Sequence, residues 1–347
     1  MKILFLSYTF APKIGGIETN SDLLAKNFQA LGHEVVLVTE VKAASPNDEL
    51  ASYNIIRSPT PRKLFALYSW ADIVFHNNPS LNLAYPGIFI KKPTVIAVRT
   101  WIRRNDTKIG IRDLLKRLFI KLATNRIYIS KAIAEDCGFS GEIIGNPYNS
   151  GLYKTNKRFE ARNKKLLFVG RLVDSKGVET LLQALPQIKN LENNDVTIVG
   201  VGPEQKNYLA LSRKLNLENI VDFVGAKSPE DLVNIYNDHR FHIIPSLWAE
   251  PFGNVALEGI ACGCVCIATE NGGLKDAVGE CGILFENGSS IQLAEAVNKL
   301  MMNSKLTETI LAAGPSHLTS HLEQTVAKKY LEVLTASYAK NTIRGRL

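Results

Sequence analysis

The chain has 347 residues, of which 46% are hydrophobic and 21% are charged, and its formal net charge is +8. The length predicts two domains, because single hydrophobic cores stop growing at roughly 250–300 residues. The sequence has no run of 18 apolar residues, which argues against a membrane-spanning helix, and its five cysteines are too few for a disulfide framework and indicate a reducing, cytoplasmic compartment.

The first 150 residues alternate strands and helices. The apolar run at 2–8 predicts a buried strand rather than a signal peptide, since no small-residue cleavage site follows it. Apolar residues at helical spacing then predict a helix up to about Gly32, which is placed to end it. Four further strands are predicted at EVVLVTE, ADIVFH, PTVIAVR and NRIYIS. This alternation predicts a parallel, doubly wound α/β sheet.

The same pattern restarts after residue 150. Strands are predicted at KKLLFVGR, DVTIVGVG, VDFVG, FHIIPS and CVCIATE, with helices between the first of them. The polar segment 145–165 predicts the linker. We therefore expect two Rossmann-like domains, 1–150 and 151–329, and a ligand-binding cleft at the carboxyl ends of their strands.

Charge is unevenly distributed between these halves. Residues 1–150 carry 19 Lys and Arg against 12 Asp and Glu, so nearly all of the surplus lies there. Such a surplus favours an acidic partner: a phosphorylated substrate, an anionic membrane surface or nucleic acid.

Glycines and cations mark possible phosphate contacts. Gly15 and Gly16 lie between the first strand and the first helix, where they could admit a phosphate or simply form a tight turn. The full dinucleotide fingerprint is absent. Arg171 ends the strand KKLLFVGR, and Lys176 precedes the next helix. The two cations could hold a diphosphate or form a solvated surface pair.

Two carboxylates stand eight positions apart in PSLWAEPFGNVALEGIACGCVCI, residues 245–267. Glu250 falls in a predicted loop and Glu258 in the early turns of the helix that follows. This separation suits two contacts along one elongated ligand, with each carboxylate accepting bonds from hydroxyl groups. The amides of Phe252, Gly253 and Asn254 would face the same ligand from the helix N-terminus.

Cysteine and histidine offer weaker signals. Cys262, Cys264 and Cys266 alternate in this stretch, but no second cysteine pair accompanies them, so we interpret them as packing and predict no metal site. His76 ends the strand ADIVFH, where it would face the cleft. A lone histidine is more often structural than functional, and the sequence at His76 does not distinguish the two roles.

An amphipathic helix is predicted at 109–126. Its apolar stripe follows helical spacing from Ile111 to Leu122, and cations occupy other positions. The helix could pack on the core and expose a charged face, or attach the protein to an anionic membrane. The cations predicted on the acceptor or membrane side are Arg99, Arg103, Arg104, Lys116 and Lys121.

Taken in order, the segments resemble glycosyltransferase family 4, a group of retaining nucleotide-sugar transferases with the GT-B fold. The segments are FAPKIGGIE, ADIVFH, IYISKAIAE, FVGRLVDSKGVETLLQA, IVGVGPE, PSLWAEPFGNVALEGIACG and GGLKDAV. The resemblance covers nearly the whole chain. It implies an acceptor-binding Rossmann-like domain at 1–150 and a nucleotide-sugar-binding one at 151–329. It also implies a last segment of about 330–347 that packs back on the first domain, and neither a metal nor a cofactor.

The resemblance also implies residue roles. Arg171 and Lys176 match the pair that holds the diphosphate, and Glu250 and Glu258 form the family's E-x7-E motif, the first on the donor sugar and the second on the ribose. His76 matches the histidine that contacts the donor sugar. The remaining residues implied in donor binding are Gly15, Gly16, Phe252, Gly253, Asn254, Val255, Gly272 and Gly273.

Two departures from the family pattern qualify this reading. Arg99 and Thr100 stand where the family often has a second histidine, and Asp276 stands where it usually has a glutamate. The resemblance implies transfer of a hexosyl unit from a nucleoside-diphosphate sugar to a hydroxyl of a glycan or lipid-linked glycan. We expect a UDP-sugar, for example UDP-glucose, as the donor. The alternatives are an epimerase or phosphorylase on this fold, a nucleotide-binding protein without activity, and a nucleic-acid-binding protein, which the absence of a base-stacking platform disfavours.

Overall fold

A computed structural model describes residues 1–13, 15–45, 48–102 and 110–344. The chain divides into two compact units. The first comprises residues 1–147 and 323–347, and the second comprises residues 148–322. The sequence placed the first boundary at 150/151, within the polar segment 145–165, and the second near 329/330.

The first unit is built on a seven-stranded parallel sheet of order β3-β2-β1-β4-β5-β6-β7. Its strands are β1 Lys2–Leu6, β2 Glu34–Thr39, β3 Asn54–Arg57, β4 Ile73–Asn77, β5 Thr94–Val98, β6 Asn125–Tyr128 and β7 Glu142–Ile143. Its helices up to the linker are α1 Gly16–Ala30, α2 Pro61–Trp70, α3 Leu81–Ala84, α4 Ile111–Leu122 and α5 Lys131–Cys137.

The second unit repeats this plan with a six-stranded parallel sheet of order β10-β9-β8-β11-β12-β13. Its strands are β8 Lys164–Val169, β9 Val196–Val199, β10 Val221–Gly225, β11 His239–Ile244, β12 Val265–Thr269 and β13 Gly282–Phe285. Its helices are α6 Val178–Ala184, α7 Gln205–Lys214, α8 Pro229–Asp238, α9 Asn254–Ala261, α10 Leu274–Val278, α11 Ser290–Met302 and α12 Ser304–Thr319. In both sheets the strand order reverses beside the first strand, and ligands of such folds bind outside the carboxyl ends of the strands at that point.

The last helix, α13 Glu323–Arg344, returns to the first unit. It packs on α1 and on the central strands β4 and β5. Tyr330 is fully buried, and its ring meets the edge of Phe75 with centroids 5.8 Å apart. The two predicted Rossmann-like folds and the return of the last helix are confirmed.

All ten predicted strands are present, and three strands were missed. These are β3, β7 and β13, which have two to four residues each and lie at the edges of the sheets. Edge strands bury little side-chain surface, so they lack the continuous apolar run that marks the central strands. In the described residues, no helix combines the length and apolar character needed to span a bilayer.

Candidate functional site

Lys176 and Glu250 meet in the second unit at the carboxyl ends of β8 and β11. The ammonium of Lys176 donates to Oε1 of Glu250, and the hydroxyl of Ser246 donates to the same oxygen at 3.0 Å. The side chain of Glu250 is 11% exposed and that of Lys176 is 29% exposed. The structure therefore brings together a cation and a carboxylate that the sequence had placed 74 residues apart.

The backbone holds this pair in place. Lys176 ends a short 3-10 turn, Asp174–Lys176, and the carbonyl of Ser175 accepts from the amides of Leu247 and Trp248 at 2.9 and 3.1 Å. Gly177 follows with φ of +70°, and a Cβ there would lie 1.8 Å from the carbonyl oxygen of Pro245. Only glycine fits at this position, because both the backbone conformation and the close carbonyl exclude a side chain.

The glycines 272 and 273 pack directly against the Glu250 backbone. Gly272 pairs with Glu250 as an isolated parallel bridge, and the amide of Gly273 donates to the Glu250 carbonyl at 2.7 Å. A Cβ on Gly273 would lie 2.1 Å from the carbonyl oxygen of Pro251. These two predicted donor-binding residues therefore form one wall with the Glu250 loop.

Helix α9 begins next to this wall. Gly253 is its N-cap with φ of +104°, and Asn254 and Val255 are its first two residues. Phe252 is 2% exposed and its ring contacts His321 with centroids 5.6 Å apart. The N-cap of this helix, whose N-terminus favours negative charge, thus lies three residues after Glu250, and the helix begins one residue before the predicted Val255.

Glu258 lies in the second turn of α9, partly buried between two tyrosines. Tyr236 donates to its Oε2 at 3.3 Å. Burial raises the pKa of Glu258 to about 7, although hydrogen bonds from Tyr236 and Tyr153 act in the opposite direction. The carboxyl group can therefore be neutral or ionised near physiological pH.

Arg171 is exposed where the chain leaves β8. Its loop is fixed by the segment after β9, because the amide of Leu172 donates to the Val201 carbonyl at 3.0 Å. A Cβ on Gly200 would lie 1.8 Å from the carbonyl oxygen of Gly170. Gly200 therefore allows the segment after β9 to lie directly against the loop that carries Arg171.

His76 does not reach the open edge of the sheet, so that expectation is wrong. The strand β4 continues to Asn77, and His76 is fully buried against the ring of Phe119 on α4, with centroids 4.9 Å apart. Within the described part of the chain, neither of its ring nitrogens has a hydrogen-bond partner. Burial lowers its pKa to about 3, so the ring is neutral. Its contact with a donor sugar stays a prediction.

Arg99 is likewise not a surface cation. It is 4% exposed and donates to the amide oxygens of Asn77 and Asn146, each at 2.6 Å. Its guanidinium lies over the ring of Tyr330, 5.2 Å from the centroid. Arg99 is therefore no surface cation and the expectation that it contacts a membrane is wrong, because it lies inside the first unit. Its contact with an acceptor stays a prediction.

The glycines after β1 lie at the start of α1. Gly15 is its N-cap in an extended conformation, and Gly16 is its first residue. A Cβ on Gly15 would lie 2.6 Å from Oε2 of Glu18, and Oε1 of the same carboxylate accepts from the hydroxyl of Thr9 at 2.5 Å. Whether these glycines contact a donor stays a prediction.

The amphipathic helix is present as α4, but its apolar stripe faces outward. Ile111 is 78% exposed and Leu122 is 74% exposed, and Leu114, Leu115 and Leu118 are each about half exposed. The core-packed interpretation is therefore wrong for this stripe. Lys121 is exposed and Lys116 is partly buried, whereas Arg103 and Arg104 lie outside the described residues.

The inner face of α4 explains this orientation. Asp113 is buried and accepts from the amide of Gly110 at 3.0 Å. Arg117 donates to the carbonyl of Asp136 at 2.7 Å, and Ile120 is fully buried. The Arg117 bond, the buried Ile120 and the ring of Phe119 against His76 hold the helix, and its leucines are left outside.

The three alternating cysteines are buried with the rest of the protein's thiols. Cys262 follows α9, and only Cys266 lies within β12. Arg162 donates to the carbonyl of Cys262 at 2.6 Å, and burial raises the pKa of Cys262 and Cys264 to about 12. Among the described residues, no three histidine, cysteine, aspartate or glutamate side chains gather in a way that could hold a metal ion.

Comparison with known proteins identifies the family. A model described as glycosyl transferases group 1 matches residues 152–316, which contain the whole Lys176–Glu250 site. An uncharacterized glycosyltransferase of Methanocaldococcus jannaschii is 37% identical over 329 residues, covering 80% of this chain and 83% of the relative. The chain belongs to the group 1 glycosyltransferases.

Other relatives match the glycosyltransferase in part or in fold. A D-inositol 3-phosphate glycosyltransferase of Corynebacterium jeikeium is 32% identical over 166 residues, and the match spans 45% of this chain and only 39% of that relative. An Anabaena protein, HepE, solved in complex with UDP, superposes with a TM-score of 0.82 at 22% identity, covering 97% of this chain and all of that one. This second likeness shows the shared fold.

Several residues of the site were missed from the sequence. Ser246, Gly177 and the tyrosines around Glu258 carry no local pattern, because their roles come from contacts across the sheet. Asn78 is different: it has φ of +79° at the exit of β4, and its side chain accepts from the amide of Arg99 at 3.0 Å. The paired asparagines after ADIVFH could have been recognised as a functional strand exit.

Proposed function

We propose that this protein is a retaining, metal-independent hexosyltransferase that uses a nucleoside-diphosphate sugar. The donor that we propose is a UDP-sugar such as UDP-glucose. The acceptor is a hydroxyl of a glycan or lipid-linked glycan in polysaccharide assembly. The observation that carries the proposal is the Lys176–Glu250 pair, set between the Gly272–Gly273 wall and the N-terminus of α9.

The charges of the site suit departure of a nucleoside diphosphate. When the bond between the anomeric carbon and the phosphate oxygen breaks, negative charge develops on the terminal phosphate. Lys176 and Arg171 would stabilise that charge, because fixed cations need no rearrangement when the charge appears. The anomeric carbon becomes oxocarbenium-like and bonds to the acceptor oxygen on the same face, while the acceptor proton passes to the leaving phosphate.

The carboxylates would bind the two ends of the donor. Glu250 would accept from the sugar hydroxyls, since its oxygens have further acceptor positions besides those used by Lys176 and Ser246. Glu258 would accept from the ribose hydroxyls. The UDP complex of the Anabaena protein, and a UDP-glucose complex of the same protein at a TM-score of 0.75, support the choice of nucleotide.

A donor panel tests the proposal. UDP-, GDP- and ADP-sugars are scored by thermal shift and by slow hydrolysis to free sugar without an acceptor. We expect one UDP-hexose to raise the melting temperature and to be hydrolysed. Lys176→Ala should lower the hydrolysis rate about 100- to 1,000-fold, whereas Lys206→Ala, which removes an exposed cation on α7, should leave it unchanged.

Other outcomes would select the alternatives. Inversion or epimerisation of the donor without release of nucleotide would replace the transferase by an epimerase. Absorbance of a lysine-bound pyridoxal phosphate would indicate a phosphorylase. Donor binding that survives Lys176→Ala, without turnover by either protein, would leave a nucleotide-binding protein without activity.

We further propose that α4 attaches the protein to an anionic membrane surface. Its five exposed apolar side chains and its exposed Arg112 and Lys121 are the arrangement expected of a helix that lies in the headgroup region. This contact would bring the protein to lipid-linked acceptors on the cytoplasmic face.

Liposome flotation tests the attachment. We expect the protein to float with vesicles rich in anionic lipid, because each cation near such a surface contributes roughly 1 kcal/mol to binding. Recovery should fall with neutral vesicles and with the variant Leu114→Ser/Leu118→Ser. Equal recovery of the wild type on anionic and neutral vesicles would contradict the proposal.

A further inference from the structure

Two tyrosines hold the carboxyl group of Glu258 inside the second unit. Tyr236 lies on α8 and Tyr153 lies in the segment that begins the second unit, and both side chains are buried. Both hydroxyl groups bond to the carboxyl group, and that of Tyr236 donates to Oε2 at 3.3 Å. One side chain is therefore held from two elements that are far apart in the sequence.

The packing of the two rings fixes where their hydroxyl groups point. The rings meet at 78° with centroids 6.2 Å apart, and the ring of Tyr236 also meets that of His242 on β11, with centroids 5.2 Å apart. A Cβ on Gly259 would lie 2.6 Å from Nδ1 of this histidine, so α9 lies close against β11 here. Rings locked in this way are preorganised hydrogen-bond donors.

Glu258 differs from Glu250 in the kind of group that holds it. Glu250 pairs with the ammonium of Lys176, whereas among the described residues no lysine or arginine forms an ion pair with Glu258. A cation would compensate the charge of the carboxylate, but a phenol only donates a hydrogen bond and leaves that charge available to further donors. Glu258 therefore suits a ligand group that donates hydrogen bonds and carries no charge of its own.

The number of acceptor positions on Glu258 indicates which ligand group fits. A carboxylate has about four lone-pair positions on its two oxygens, and the two tyrosines occupy two of them. Two neighbouring hydroxyl groups would fill the positions that remain. The ribose of a nucleotide carries such a pair on its 2′ and 3′ carbons, whereas 2′-deoxyribose has only one of the two.

We propose that Tyr153 and Tyr236 are positioning residues for donor binding. They orient Glu258 so that it accepts from both ribose hydroxyls, and through it they make the protein select ribonucleotide over 2′-deoxyribonucleotide donors. The inference rests on the proposed function, in which Glu258 binds the ribose, and it assigns the residues that set the strength and the selectivity of that contact.

The same surroundings make the ribose contact depend on pH. Burial raises the pKa of Glu258 to about 7, and the hydrogen bonds from the two tyrosines lower it. Cys262 at the end of α9 also faces the carboxyl group, whereas α10 and α12, which pack on α9, contribute no group that shifts its pKa. Ribose hydroxyls bond best to the ionised carboxylate, so donor affinity should rise as the pH rises through 7. Loss of either phenol should move this rise to higher pH.

Calorimetric titration of the full chain with two nucleotide sugars tests the proposal. UDP-glucose and its 2′-deoxyuridine counterpart are compared from about pH 6 to about pH 8.5, the range over which Glu258 changes its charge. We expect the wild type at the upper pH to bind UDP-glucose at least about tenfold tighter, because the deoxy compound leaves one position of a buried carboxylate unfilled.

Two conservative variants assign the contacts. Tyr153→Phe and Tyr236→Phe keep the rings and each remove one hydroxyl group. At pH 7 each should raise the Kd of UDP-glucose about three- to tenfold, lower the preference for ribose at least about threefold, and move the rise of affinity to higher pH. Tyr208→Phe removes the hydroxyl group of another buried tyrosine of the second unit, on α7, and is the matched control that should change none of these.

A purely structural role of the tyrosines would give a different result. The proposal is overturned if the wild type binds both nucleotide sugars equally, or if both phenylalanine variants keep the wild-type ratio of the two Kd values, whatever urea unfolding shows of their stability. Glu258→Gln should bind UDP-glucose with a Kd that does not change with pH. A pH dependence that survives in this variant would also overturn the proposal, because the titrating group would then lie elsewhere.

The result is separable from the test of the transferase function. Hydrolysis of UDP-glucose together with an unchanged Kd ratio in the tyrosine variants would keep the transferase and reject this role of the tyrosines. The expected tyrosine effects without hydrolysis would keep the ribose contact and reject the transferase. Failure of the wild type to bind either nucleotide sugar would reject both.

Discussion

Glu258 occupies surroundings that oppose its ionisation, and this gives the protein a pH-dependent stability. Its pKa rises from an ordinary value of 4.5 to about 7 on burial. Between these values the folded state holds more protons than the unfolded state. The stabilising contribution is therefore complete below pH 4.5 and is lost as the pH rises through 7.

Replacement by glutamine should remove that dependence. A shift of this size corresponds to about 3 kcal/mol, and partial exposure reduces it, so we expect Glu258→Gln to be about 1–2 kcal/mol more stable than the wild type at pH 8. At pH 4 the two proteins should be nearly equal. Urea unfolding at both pH values measures this, with the exposed Glu280→Gln as control. The prediction is contradicted if the free energy of unfolding changes with pH in the same way for the wild type and for Glu258→Gln.

Gly177 is the residue on which the position of Lys176 depends most. Gly177→Ala places a Cβ 1.8 Å from the Pro245 carbonyl oxygen, so the turn must move. We expect a loss of stability of about 3 kcal/mol or more and a fall in donor hydrolysis as Lys176 moves with the turn. Gly225, also in the second unit, has φ of +72° with nothing within 4 Å.

A substitution at Gly225 distinguishes the effect of backbone strain from that of steric clash. Gly225→Ala retains only the strain of the left-handed conformation and should cost about 1–2 kcal/mol. Hydrolysis should be unchanged in it. Denaturant unfolding and the donor assay together make the comparison, and equal effects of the two substitutions would show that the Pro245 contact is not restrictive.

At the scale of elements, α4 shows where sequence periodicity misleads. The stripe from Ile111 to Leu122 correctly predicted an amphipathic helix, but it did not identify the face that packs. The inner face carries Ile120, the ring of Phe119 against His76 and the bond of Arg117 to the Asp136 carbonyl. The Arg117 bond is polar, so it leaves no hydrophobic pattern in the sequence.

A pair of truncations tests this orientation. Ile120→Ala should destabilise the first unit by about 2–5 kcal/mol, because Ile120 is fully buried. Leu118→Ala should change stability by less than about 0.5 kcal/mol, because Leu118 is 51% exposed. Thermal unfolding of the two variants shows which face of α4 packs on the first unit. A larger loss of stability for Leu118→Ala than for Ile120→Ala would show that the leucine face is the packed one.

The strand exits show what the sequence could predict. The family resemblance implied that Glu250, Gly272 and Gly273 all take part in donor binding, and the structure joins them by backbone bonds. The exit of β4 was placed one residue early: His76 was expected at the end of the strand, but β4 continues to Asn77 and His76 is buried inside the unit. The local sequence ADIVFHNN does not fix where the strand ends.

At the scale of the whole molecule, α13 completes the core of the first unit. Tyr330→Ala should destabilise that unit by about 3–5 kcal/mol, since its fully buried ring is lost. Hydrogen exchange should show weaker protection of β1 and β4 and unchanged protection of β8 and β11. Tyr330→Phe keeps the ring and is the control, and equal loss of protection in both units would contradict the prediction.

The position of α13 in the sequence also determines the order in which the two units can fold during synthesis. All residues of the second unit lie between two segments of the first, so during synthesis the inner unit is complete before the outer one has received its last helix. Domains generally fold as units as they emerge. The second unit would then fold early, while the surfaces of β4 and β5 that α13 covers stay exposed until α13 is synthesised.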